Sequence, residues 1–74
     1  MHERPLTLAG RGETVILSRI EGGRGVQQRL TSMGLFPGVL LNVVSNTLHG
    51  PFIIAVGETR LALGRSMAHR IYVR

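Results

Sequence analysis

No cysteine, lysine, aspartate or tryptophan occurs among the 74 residues. Without cysteine there can be no disulfide, no thiolate metal site and no thiol nucleophile. Without aspartate a serine nucleophile lacks its usual orienting acid, and without lysine the phosphate-cradling loop that ends in Lys-Ser/Thr cannot be written. Carboxylates are scarce as well: Glu3, Glu13, Glu21 and Glu58 are the whole set, and each lies in or beside a turn by composition. Hydrolysis by paired acids or by a metal needs such groups gathered in a cleft, so solvated turn positions are the better account of all four. The longest unbroken apolar run is Phe52 to Val56, far below what a bilayer span requires. Met1 to Leu8 lacks the charged-then-apolar layout of a signal peptide, and the expected location is the cytoplasm.

What remains is apolar and basic. A hydrophobic fraction of 43% argues for a packed core over disorder, and the length fits a single domain, residues 1–74. Nine arginines against four glutamates give a formal net charge of +5. That balance suits nucleic acid, an anionic surface or an acidic protein partner, or simply solubility with a codon bias toward arginine. The arginines are spread from Arg4 to Arg74 without a basic run, which weakens the polybasic reading in particular.

The alternation from Val15 onward, with β-branched Thr14, Val15, Ile16 and Ile20, predicts a strand over 14–20. In this reading Val15 and Leu17 share one face, and Ile16, Ser18 and Ile20 the other. Glu21-Gly22-Gly23 breaks the strand. Gly22-Gly23-Arg24-Gly25 is better explained as a tight strand-to-helix turn than as an anion cradle. Val26, Leu30 and Met33 fall at i, i+4 and i+7, predicting one helix over 24–33. Gln27, Gln28 and Arg29 lie off that stripe, toward solvent or a partner. Gly34, Leu35 and Pro37 form a helix stop.

Strands are expected over 39–45, 52–56, 60–63 and 71–73. A loop from Asn46 to Pro51, a two-residue turn at Gly57-Glu58 and a single helical turn over 64–69 separate them. Five short strands and one helix predict a mainly β fold, a small, partly closed barrel. Leu30, Met33, Leu41, Val43, Phe52, Ile54 and Leu63 are assigned to its core, while Phe36 and Tyr72 are expected at the surface.

His2, His49 and His69 show no metal-ligand spacing, and neither metal nor cofactor is expected. Stacking aromatics do not interleave with the arginines as they do in single-strand binders, so a small RNA- or DNA-binding barrel is the rival reading and the less favoured one. Met33-Gly34-Leu35-Phe36-Pro37-Gly38 is the most informative segment. Leu35 can fold back on the helix, whereas Phe36 has no such partner, and an exposed aromatic beside Arg29 has the composition of an interface anchor.

Here the chain resembles the ferrous iron transport protein A (FeoA) family. The resemblance rests on Gly22-Gly23, on the run Arg29-Leu30-Thr31-Ser32-Met33-Gly34-Leu35-Phe36-Pro37-Gly38, on Gly50-Pro51, Val56-Gly57 and Ala62-Leu63-Gly64-Arg65, and on Ala68 and Ile71. It implies an SH3-like β-barrel with an inserted helix, and a cytoplasmic accessory protein without enzymatic activity. The partner it implies is the large membrane ferrous iron transporter, FeoB, which carries a cytoplasmic G-protein domain. A similar fold occurs as the C-terminal domain of metal-dependent repressors of the diphtheria toxin repressor type, but no helix-turn-helix segment is present here. Gln28, Arg29, Phe36, Pro37 and Arg65 are the expected partner-binding residues.

Overall fold

The computed structural model describes residues 2–74. Its elements are β1 (Arg4–Pro5), a 3₁₀ turn (Leu6–Leu8), β2 (Thr14–Ile20), α1 (Arg24–Ser32), β3 (Leu40–Asn46), β4 (Phe52–Val56), β5 (Thr59–Leu63), α2 (Arg65–His69) and β6 (Ile71–Val73). All strand pairs are antiparallel, in the order β1-β6-β2-β3-β4-β5. β2 belongs to both halves of this curved sheet. Its first residues, Thr14 to Ile16, pair with β3, and its last, Leu17 to Ile20, pair with β6. The sheet thus turns a corner along one strand and wraps a core of Leu6, Val15, Leu17, Ile20, Leu30, Leu35, Leu41, Val43, Phe52, Ile54, Leu63, Ala68, Ile71 and Val73, with Ala9.

The segment before Glu13 is more than the short lead that its composition suggests. Arg4 and Pro5 pair with Val73 and Tyr72, and proline is tolerated there because β1 lies at the sheet's edge. This makes six strands rather than five, and brings Leu6 and Ala9 fully into the core.

Two β-bulges overturn simple alternation. In β2, Leu17 faces Val73 and Arg19 faces Tyr72, so Ser18 is the extra residue. One inserted residue shifts the phase of everything after it. Ile20 therefore turns inward, contrary to the face that strict alternation assigns, and Arg19 turns outward to stack over the Tyr72 ring at 4.0 Å. Tyr72 is half-buried as a result. In β3, Val43 faces Ile54 and Ser45 faces Ile53, leaving Val44 as the extra residue. Asn46 then pairs with buried Phe52 as the last residue of the strand, rather than opening the loop that composition predicts.

Asn46 uses that position. Its Nδ2 donates to the carbonyls of Ala9 (2.7 Å) and Thr7 (3.2 Å), and its Oδ1 accepts from Arg65 Nη2 (2.7 Å). A single side chain so ties β3 to the N-terminal segment and to α2.

Candidate functional site

The C-terminal end of α1 and the turn after it form a rigid, outward-facing corner. Met33 caps the helix, Gly34 takes φ 89°, Gly34 N–H donates to the Thr31 carbonyl (2.9 Å) and Leu35 N–H to the Leu30 carbonyl (2.9 Å). This pair of bonds is the Schellman stop, whose accompanying apolar contact joins Leu30 and Leu35. Both are buried.

Directly afterwards Val39 N–H donates to the Phe36 carbonyl (3.2 Å) across Pro37 and Gly38, the latter at φ 98°. Proline followed by a positive-φ glycine is the signature of a type II turn. Gly38 N–H and the Val39 carbonyl are tied to Leu17 of β2 at 2.8 and 2.9 Å. Two stacked turns thus leave Phe36 no route into the core, and it is 46% exposed, with Pro37 exposed beside it.

Of the expected contact residues, Gln28 and Arg29 are exposed on α1. Gln27 is not free: its amide donates to the Ile20 carbonyl (2.5 Å) and holds the end of β2. Arg29 also lines a groove of about 240 Å³, with Leu30 and Met33 of α1, Ala62 and Leu63 of β5, Gly64, and Met67 of α2. Met33, assigned to the core by its spacing, is partly buried and forms a wall of this groove.

Arg65 stands apart from the Phe36 corner. Its guanidinium donates to Asn46 Oδ1 and the Thr47 carbonyl and lies 5.8 Å from the Phe52 ring centroid. It lines a separate, wider cleft of about 650 Å³ with Thr7, Glu21, Ser66, His69 and Arg70. The structure therefore exposes Gln28 and Arg29 on α1 and Phe36 and Pro37 on the turn that follows it, and places Arg65 in a different cleft, half-buried.

Charge is unevenly matched. Arg4 pairs with Glu13, and Arg19 with Glu3 (2.8 Å) and Glu21 (3.2 Å). The Ser18 hydroxyl and the Arg19 guanidinium hold the Glu3 carboxyl below its ordinary range, and Arg4 with the Gly10 N–H does the same for Glu13. Glu3 and Glu21 in turn raise Arg19. The other seven arginines have no carboxylate partner among the described residues. No group of three or more His, Asp or Glu able to hold a metal ion occurs among those residues. No helix among them is long and apolar enough to cross a membrane.

The sequence reading missed the groove between α1 and β5. Ala62 and Met67 carry no motif, and Arg60 reads as one more dispersed cation. Only the packing of α1 beside β5 and α2 brings Ala62 and Met67 together with Arg29, and Arg60 follows as a neighbour of Ala62 in β5.

Comparison with known proteins agrees with this geometry. Residues 4–74 match the FeoA domain family. A Methanocaldococcus jannaschii chain assigned as Fe(2+) transport protein A is 44% identical over 69 residues, covering 93% of this chain and 83% of that one. The crystal structure of an iron uptake regulatory protein (FeoA) superposes with a TM-score of 0.89 at 40% identity, covering 100% of this chain and 97% of the other. Stenotrophomonas maltophilia FeoA complexed with zinc, described as an SH3 domain protein, shares the fold with a TM-score of 0.79 at 23% identity, over 93% of this chain and 87% of that one. A manganese-dependent transcriptional repressor shares it over 40% of the repressor's length, with a TM-score of 0.85 at 23% identity. The chain is a member of the FeoA family of ferrous iron transport, built as an SH3-like β-barrel.

Proposed function

We propose that this protein is a cytoplasmic accessory subunit of ferrous iron uptake that binds the cytoplasmic part of an FeoB-type membrane transporter and regulates or assembles it. It performs no chemistry of its own in this reading: the transporter moves the iron, and the barrel supplies a rigid surface.

The observation that carries the reading is the Phe36-Pro37 corner. Two consecutive hydrogen-bonded turns hold an aromatic ring out of the core directly after α1, the helix that exposes Gln28 and Arg29. Interface anchors are enriched in aromatic residues, which bury large contact area with few rotatable bonds, and in arginine, whose planar guanidinium makes several directed hydrogen bonds. Arg65 enters the proposal indirectly, as the side chain that holds the Thr47 loop in place.

The test is an NMR titration of the isotope-labelled protein with the transporter's soluble G-protein domain, with a nucleic-acid oligomer as control. Shifts confined to α1 and residues 34–39 are expected with the G domain. Phe36→Ala should weaken that binding by roughly 2 kcal/mol, about thirtyfold, while melting temperature stays nearly unchanged. A large fall in melting temperature with unchanged affinity would make Phe36 a packing residue. Silence toward the G domain with steeply salt-dependent oligomer binding would replace the proposal with the nucleic-acid reading.

A further inference from the structure

We infer that the free edge of β5 is a strand-addition site for an extended, acidic segment of another protein. The inference rests on the reading that this protein works by binding a protein partner, and it names a second surface and the chemistry it takes.

β5 is the last strand of the sheet, with β4 as its only neighbour among the described residues. Val56 and Thr59 close the hairpin across the two-residue turn Gly57-Glu58, with Gly57 at φ 60°. In such a hairpin the closing pair is hydrogen-bonded and the bonding alternates from there. Leu61 and Leu63 therefore direct their backbone groups to β4, and Arg60 and Ala62 direct theirs to the open side. Neither residue finds a backbone or side-chain hydrogen bond on that side among the described residues, and both are exposed. Two N–H and two C=O groups in strand geometry are a template for one more strand.

The chemistry beside this edge selects the occupant. Ala62 also lines the groove between β5, α1 and α2, whose walls are Leu30, Met33, Leu63 and Met67. At about 240 Å³ it lies below the usual range of small-molecule pockets, about 300–1,000 Å³, and suits one apolar side chain of the added strand. The two methionines are flexible enough to adapt to several such side chains. Arg60 stands on the edge itself and Arg29 at the groove, each without a carboxylate partner among the described residues. Glu58, at the hairpin tip, is the acidic residue nearest in sequence. A second copy of this chain is a poor occupant: antiparallel pairing of β5 with itself brings two Arg60 side chains and two chains of net charge +5 together. An acidic strand with one bulky apolar residue satisfies the backbone, the groove and the charge at once.

The experiment uses a short synthetic peptide alternating glutamate with valine around a central leucine, titrated into the labelled full chain. In the free protein the Arg60 and Ala62 amides should exchange rapidly with solvent. At saturation both should become protected, with shifts at the Met33 and Met67 methyl groups. Arg60→Glu and Ala62→Pro should each weaken binding roughly tenfold, the latter by removing a main-chain donor at a position where an edge strand tolerates proline. Because Ala62→Pro can disturb β5 itself, a peptide N-methylated on its strand-facing amides repeats the test from the other side. Failure to bind, binding without protection of these two amides, or equal binding of a peptide with lysine for glutamate overturns the proposal. Concentration-dependent protection of the same amides without peptide overturns it in favour of self-pairing. Transporter binding that shifts residues 34–39 with no protection of Arg60 and Ala62 by the peptide would sink this site and leave the regulatory reading standing; peptide protection without transporter binding would do the reverse.

Discussion

Replacing Asn46 by alanine should cost this domain about 2–4 kcal/mol, and the figure follows from what the side chain holds. Its Nδ2 serves two carbonyls, and the Ala9 residue that carries the nearer one is wholly buried. Stranding a buried acceptor costs about 1–3 kcal/mol. The Thr7 carbonyl, on a half-buried residue, regains part of its loss from water. On the other side Arg65 loses a charge-assisted bond but keeps the Thr47 carbonyl. A chain of this length has a total stability of about 4–11 kcal/mol, so the loss is a large fraction. At about 4–8 °C per kcal/mol it lowers the melting temperature by about 8–32 °C.

The substitution by aspartate separates the two halves of the argument. Aspartate accepts from Arg65 at least as well as asparagine, but it cannot donate to the Thr7 and Ala9 carbonyls and sets a negative charge against them. N46D should therefore be no more stable than N46A. Arg65→Met should cost less than N46A, since it also removes Arg65 Nε, a buried side-chain nitrogen without a partner among the described residues. Thermal and urea unfolding followed by far-ultraviolet circular dichroism measures all three, and a double-mutant cycle should return a coupling of about 0.5–1.5 kcal/mol between Asn46 and Arg65. An N46A loss below about 0.5 kcal/mol, or an N46D protein more stable than the parent, would refute the claim that the two donated bonds carry the energy.

Leu30→Ala removes a buried side chain at the foot of the Schellman stop and should cost about 2–5 kcal/mol in urea unfolding; a smaller loss would mean that α1 is loosely docked. At Gly34 an added Cβ meets nothing within 4 Å, but φ is 89°. Gly34→Ala should therefore cost only the backbone strain, about 1–2 kcal/mol, and a synthetic chain with D-alanine there should show no loss. Depressed carboxylate pKa values at Glu3 and Glu13 give a definite sign to the pH dependence. Their contribution is fully present above the ordinary carboxylate value of 4.5 and declines as pH falls through the lower folded values. Melting temperature should fall on acidification below that point, and Glu13→Gln should flatten the fall; an unchanged acid limb would show that the Arg4 pair contributes nothing.

How far the sequence foretold this structure depends on the range of the physics involved. The stop at Gly34, the type II turn at Pro37-Gly38 and the bounds of β2, β4 and β6 follow from residues within a few positions of one another, and the exposure of Phe36 follows from the first two. The bulges at Ser18 and Val44 do not, because each is set by the register that a partner strand imposes. Their consequences are chemical as well as geometric. Ile20 joins the core only because Ser18 shifts the phase. Asn46 faces Ala9 and Thr7 only because Val44 does the same, and without Asn46 in that place Arg65 would lack a side-chain acceptor among the described residues. An arginine beside a glycine in a short helix reads equally well as a contact for a partner or as a brace for a loop. Which of the two it is depends on a register shift some twenty residues away, and no local pattern around Arg65 records that shift.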